Sequence, residues 1–168
     1  MKLAAIPTML SMIPSVFRGV GLRDLERIKI ITRKAFPKVA QLGTETLAGW
    51  MQTAPPVLLV DVRSPEEFGV SHLANAINLR DAKEIVEAAK ERNNSKVILY
   101  CSVGFRSSRL AQIVSQKGSA QVMNLEGSIF QWANEGRPLY RGEMRVREVH
   151  PFGKRWAGLL KPGLPAEV

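Results

Sequence analysis

The sequence predicts an α/β fold with a central, mostly parallel sheet flanked by helices on both faces. Three observations carry that prediction. Short apolar runs of strand length recur at Val57–Val60, Ala76–Leu79, Val97–Tyr100 and Val122–Leu125. Segments with helical periodicity and helix-start signals lie between them, so successive strands need crossovers and pair in parallel. Apolar residues make up 45% of the chain, enough to cover a sheet on both sides.

Along the chain, Arg18 to Phe36 places Val20, Leu22, Leu25, Ile28, Ile31 and Ala35 near one helical face, with Arg23, Arg27, Arg33 and Lys34 mostly off it. Such a basic amphipathic helix is expected to dock on its own domain, with a partner or a membrane interface as alternatives. Pro37 ends it, and Lys38–Leu42 reads as a short edge strand. Thr44 is an expected N-cap for a helix reaching Met51 or Gln52, and Pro55-Pro56 breaks the chain before the next strand.

Ser64 with Glu67 makes a capping box, and Pro65 falls at the first helical position, where its missing N–H costs nothing. That helix should end near Gly69. Asp81 with Glu84 repeats the spacing and opens a helix to about Arg92, with Ile85, Val86, Ala88 and Ala89 as its apolar face. A helix from Arg106 to Lys117 should turn Leu110, Ile113 and Val114 inward and stop at Gly118. Gly127 to Glu135 is a last short helix. The tail from Arg141 is turn-rich, with Trp156, Leu159 and Leu160 as its apolar anchor.

Charge divides the chain in the same places. Residues 1–38 carry a net +6, residues 39–136 a net −1 and residues 137–168 a net +4. The expected organisation is a basic N-terminal extension over 1–37, a central domain over 38–140 and a basic C-terminal tail over 141–168. No specific nucleic acid is expected as a partner, because the basic excess lies outside the central module. An acidic protein or an anionic membrane surface is the partner the flanks could meet, and solvated tails are the plainer reading. Leu3–Phe17 is interrupted by Pro7 and Pro14 and is too short for the ~20 residues of a membrane span. It resembles a signal or transit segment only in part, so a targeting role stays open beside an expected cytoplasmic location.

Cys101 is the only cysteine in 168 residues. No intrachain disulfide, Cys-x-x-Cys pair or multi-cysteine zinc site is available, and no metal site is expected. The thiol stands where an apolar strand stops and a helix begins, at the strand end where function collects in parallel sheets. Amides of Ser102, Val103, Gly104, Phe105 and Arg106 are placed to form an anion nest, and the helix dipole adds to it. Both favour thiolate, the reactive form. Gly104 permits backbone angles that a side chain would penalise.

The loop Cys101-Ser102-Val103-Gly104-Phe105-Arg106-Ser107 resembles the Cys-x-x-Gly-x-Arg-Ser active-site loop of single-domain rhodaneses. Leu59-Val60-Asp61-Val62-Arg63-Ser64-Pro65-Glu66-Glu67-Phe68, followed by Ser71-His72-Leu73, Ala76, Asn78 and Leu79, is similar to that family's upstream signature. Leu125-Glu126-Gly127-Ser128, Trp132 and Gly136-Arg137-Pro138-Leu139 resemble its C-terminal pattern. The resemblance spans about residues 38–140 and implies a rhodanese-like fold and a sulfurtransferase that needs no cofactor. Cys101 would take a sulfane sulfur from a small donor such as thiosulfate, hold it as a persulfide and pass it to a thiol or cyanide. Arg106 would either hold an anionic donor or brace the loop against a carboxylate.

Two positions depart from the family pattern, Ser71 and Asn75, where glycine is usual. Asn75 tolerates left-handed angles, while Ser71 is expected to reshape the turn slightly. The loop also lacks a cation directly after Cys101, which puts thiosulfate as the natural donor in doubt. Asp61, Arg63 and His72 are possible supporting residues, each with a structural reading beside the functional one: an ion pair for the first two, a turn hydrogen bond for His72. His150 has no partner at ligand spacing, and Trp50 and Trp132 are expected in core or rim. Two other functions compete. Cysteine-dependent phosphatases and arsenate reductases use a Cys-x5-Arg loop, whereas here Arg106 is the fifth residue after Cys101, a shorter loop that suits sulfur better than phosphate. A non-enzymatic rhodanese-like interaction module is the second alternative.

Overall fold

The computed structural model describes residues 24–53, 57–93, 96–118 and 120–167. The expectations for Leu3–Phe17, Val20, Leu22 and Pro55-Pro56 lie outside the described residues. Five strands form one parallel sheet: β1 (Ala40–Leu42), β2 (Val57–Asp61), β3 (Ile77–Asn78), β4 (Lys96–Tyr100) and β5 (Gln121–Leu125), in the order β1-β5-β4-β2-β3. A separate hairpin pairs β6 (Leu139–Arg141) with β7 (Met144–Val146). Its second strand lies in the tail from Arg141, which the sequence reads as turn-rich.

Side chains alternate along each central strand, and the two faces carry two cores. Leu59, Ile98, Tyr100, Met123 and Leu125 face one core, while Leu58, Val60, Val97, Leu99 and Val122 face the other. The second face is covered by α4 (Ala82–Glu91) and α5 (Phe105–Ser115). On the first lie α1 (Leu25–Ala35), α2 (Thr44–Thr53) and α6 (Ser128–Asn134), together with the tail and its short α7 (Lys154–Ala157). α1 fully buries Ile28 there, and the tail adds Val149, Trp156, Leu159 and Leu160 to the same cluster. Burial of one such aliphatic side chain is worth ~2 kcal/mol, so both flanks contribute to the stability of the domain.

Local chemistry sets most element starts. Asp24 caps α1 by accepting from the Glu26 and Arg27 amides. Ser64 and Glu67 form the reciprocal capping box of α3 (Pro65–Val70), and Asp81 caps α4 through the Lys83 and Glu84 amides. In the Asp81 case the cap stands without the box. Thr44 differs from its expected role: it is the first residue of α2, and its hydroxyl donates to the Glu135 carboxylate instead. That bond ties α2 to the end of α6.

The largest correction concerns the face of α5. Ile113 is exposed, Leu110 is half-buried, and the buried residues are Ser107, Ser108, Ala111 and Val114. Small residues at 107, 108 and 111 leave room for a polar cluster beneath the start of the helix. The helix ends at Ser115, before Gly118, where an added Cβ would meet Val86 at an ordinary contact distance of 3.5 Å. Asn75 takes φ +60°, and Ser71 is extended at φ −167°, which any residue adopts, so neither departure from glycine disturbs the turn.

Candidate active site

β4 delivers Cys101 to the carboxyl end of the sheet, 1% exposed and on the α4–α5 side, continuing the alternation of Val97 and Leu99. The chain then turns through Gly104, at φ +100° and ψ −8°, into α5. A Cβ at Gly104 would lie 3.2 Å from Asn124 Nδ2 and 3.6 Å from the Leu125 carbonyl. The angle therefore favours glycine, and any side chain would also press on the Asn124 amide. The loop is pinned to α6: the Cys101 amide donates to Ser128 Oγ at 3.1 Å, and the Cys101 and Ser102 carbonyls accept from the Ile129 and Phe130 amides. Ser128 in turn donates to the Leu125 carbonyl at 3.0 Å.

Around the sulfur, the Gly104 amide donates at 3.2 Å and the Ser107 hydroxyl lies at 3.4 Å. Ser107 is itself 2.6 Å from Asn124 Oδ1, and Asn124 Nδ2 donates to Gln41 Oε1 at 2.7 Å. One hydroxyl proton thus has two acceptors within reach, which lets Ser107 answer a thiol and a thiolate differently. Burial pushes the Cys101 thiol up, but the Arg106 charge and the hydrogen bonds from Ser107 and Gly104 outweigh it and bring it below the ordinary thiol range.

Of the two roles open to the Arg106 side chain, the structure displays the brace. Its two terminal nitrogens donate to Glu67 at 3.0 and 2.8 Å, and one also donates to Ser102 Oγ at 3.0 Å. Ser102 donates to the same carboxylate at 3.2 Å. Burial pushes the Glu67 carboxyl up, but hydrogen bonds from Arg106 and its charge hold it at about 2. Glu67 therefore serves twice, as the N3 residue of the capping box and as the anchor of Arg106. Ser102 spends its hydroxyl on this clamp. Val103 is buried in the core, and Phe105 meets Phe36 edge-on with ring centres 5.0 Å apart.

The supporting candidates form a second network. Asp61 and Arg63 are both fully buried and paired at 2.6 Å, and Arg63 also donates to the Ser71 carbonyl at 2.6 Å. Tyr100 accepts from the Leu73 amide at 3.1 Å beneath them, its hydroxyl kept protonated by burial and by the Asp61 charge. His72 donates through Nδ1 to the Leu73 carbonyl at 3.0 Å and stacks on Phe68. His72, Asp61 and Arg63 thus hold the Ser71–Leu73 turn, and none of them has a contact with Cys101 among those the structure displays. Trp132 is core, donating to the Pro138 carbonyl, and Trp50 is half-buried beneath Lys96.

A family model for the rhodanese-like domain matches residues 44–135. The chain belongs to the rhodanese-like family. A sulfurtransferase of Allochromatium vinosum is 30% identical over 62% of this chain and 98% of its own length. The probable adenylyltransferase/sulfurtransferase MoeZ of Mycobacterium tuberculosis is 28% identical over 74% of the chain, which spans 33% of that relative. Among solved structures, a rhodanese-related protein of Thermoplasma volcanium is 26% identical over 61% of this chain, with a TM-score of 0.51. The thiosulfate sulfurtransferase of Pseudomonas aeruginosa shares the fold at a TM-score of 0.60 and 19% identity, over 75% of the chain and 24% of that protein.

Several members of this rhodanese-like site escape sequence reasoning. Glu67 is visible in the capping box, but nothing nearby marks it as the partner of Arg106. Ser107 closes the loop motif and Ser128 stands in the C-terminal pattern, while Asn124 and Gln41 carry no local signal. Phe152 is the least expected: it arrives from the tail, outside the family match, and lays its ring on the Arg106 guanidinium, 4.5 Å from the ring centre.

Proposed function

We propose that the protein moves sulfane sulfur from a donor to an acceptor through a persulfide on Cys101. The observation that carries this reading is a buried thiol whose sulfur receives the Gly104 amide and faces the Ser107 hydroxyl, in a loop with only four residues between Cys101 and Arg106. A lone soft nucleophile of lowered pKa is the equipment such a step needs. The family relatives named as sulfurtransferases point the same way.

The thiolate attacks the outer sulfur of the donor, the donor's S–S bond breaks, and its remaining fragment leaves with the bonding electron pair. With thiosulfate that fragment is sulfite. The terminal sulfur of the new persulfide then occupies the end of the loop until a thiol or cyanide attacks it. No second cysteine exists in the 168 residues, so the acceptor lies outside them. Sulfur leaves on another molecule.

Intact-protein mass spectrometry tests the reading. Incubation with a sulfane-sulfur donor should add the mass of one sulfur, removable by a thiol, and Cys101→Ser should abolish both the gain and turnover while the protein stays folded. Sulfur transfer persisting in Cys101→Ser overturns the mechanism. Hydrolysis of an aryl phosphate without any sulfur gain favours the phosphatase reading instead.

A further inference from the structure

A dianionic donor such as thiosulfate is best received by a cation with open hydrogen-bond donors beside the nucleophile. Arg106 supplies the charge that acts on Cys101, yet its guanidinium is already engaged. Glu67 takes both terminal nitrogens and offsets the charge. Phe152 lies over the guanidinium, a cation–π contact. Access for a sulfonate group is reduced on both counts.

The position of Phe152 is held against a backbone cost. Its φ is +63°, a region that costs a bulky L-residue ~1 kcal/mol or more. The surrounding tail fixes it there. The Phe152 amide donates to His150 Nδ1 at 3.0 Å, and its ring meets the buried Trp156 edge-on, with centres 6.0 Å apart. All three residues lie outside the 44–135 span of the family match. The contact is therefore built by a segment outside the matched domain.

We propose that Phe152 is a specificity-determining residue that turns the Cys101 site against dianionic donors and toward persulfides of thiols. The inference rests on the sulfur-transfer reading. In the favoured step, the Cys101 thiolate attacks the terminal sulfur of R–S–SH, the S–S bond breaks, and R–S⁻ leaves with the electron pair. The proton stays on the transferred sulfur as Cys101–S–SH, and R–S⁻ is protonated by solvent. No sulfonate has to be accommodated beside Arg106.

The test measures single-turnover loading of Cys101 on the full chain by intact mass, against concentration of two donors: thiosulfate, and the persulfide of neutral 2-mercaptoethanol. Wild type is compared with Phe152→Ala and Phe152→Gly. Glycine takes φ +63° without penalty, so the second variant keeps the local backbone favourable. Removing the ring should lower half-saturation by thiosulfate and raise the thiosulfate-to-persulfide ratio of loading about tenfold, a gain that high salt should erode. A ratio unchanged in the folded variants, or a change shared equally by both donors, overturns the proposal. Failure of both donors to load wild type overturns the sulfur-transfer reading and this inference with it.

Discussion

Two arginine–carboxylate pairs stand near the carboxyl ends of neighbouring strands, and they do different work. Arg63 and Asp61, at the end of β2, are both 0% exposed at their side chains. Arg106 and Glu67, beside the end of β4, differ in having an arginine side chain that is 28% exposed against a carboxylate at 3%. The first pair spends its charge on Asp61, on the Ser71 carbonyl and over the Tyr100 ring. The second leaves part of its field on Cys101. What separates a structural ion pair from one that tunes a nucleophile is therefore which group shares the cation: a backbone carbonyl and a ring for Arg63, a thiol for Arg106.

That contrast is broken most severely at the closed pair. Arg63→Met should leave Asp61 buried without its cation and cost about 3–5 kcal/mol, read as a fall in the denaturation midpoint. Cys101 loading in the fraction that remains folded should be near wild type. A variant as stable as wild type would show that Asp61 finds another partner. Selective loss of loading at full stability would move Arg63 into the sulfur-transfer site.

At the open pair the same kind of change should be milder and chemical. Glu67→Gln removes the charge that offsets Arg106, so the thiolate gains and the Cys101 pKa should fall further, read by alkylation rate against pH. Stability should drop by about 1–2 kcal/mol, less than for the closed pair, because Arg106 retains contact with water. A Cys101 titration unmoved by Glu67→Gln would mean that Arg106 does not set it.

The most gradual effect is the acid limb of stability. Glu67 is held at about 2 in the folded protein against 4.5 ordinarily, and a depressed carboxyl stabilises the fold above its unfolded pKa. This contribution, about 1–2 kcal/mol because Arg106 is partly exposed, should be intact above pH 4.5 and lost as pH falls toward 2. Wild type and Glu67→Gln should therefore converge in stability across that window. Parallel curves down to pH 2 would contradict the assignment.

The elements that follow the sequence reading most closely depend on neighbours in the chain. The capping box at Ser64 and Glu67 and the glycine-dependent turn at Gly104 are settled within a few residues, as is the placing of Cys101 at a strand end. Edge strand β1 and the parallel crossovers are likewise expected. Where the reading and the structure part, distant residues compete for the same group. Thr44 abandons capping because Glu135 lies within reach of its hydroxyl. Ile113 turns outward because Ser107 must sit between Asn124 and the sulfur, which sets the phase of α5.

By itself, then, the sequence determined the strand–loop–helix that holds one thiol and the family to which that arrangement belongs. Local backbone geometry and hydrogen bonding suffice for that. Only the tertiary structure decided what the thiol faces. Glu67, Asn124, Ser128 and Phe152 come from four separate elements, and their meeting depends on how the sheet, α6 and the tail pack together. Charge, burial and access are properties of that packing, and they set the state of the sulfur.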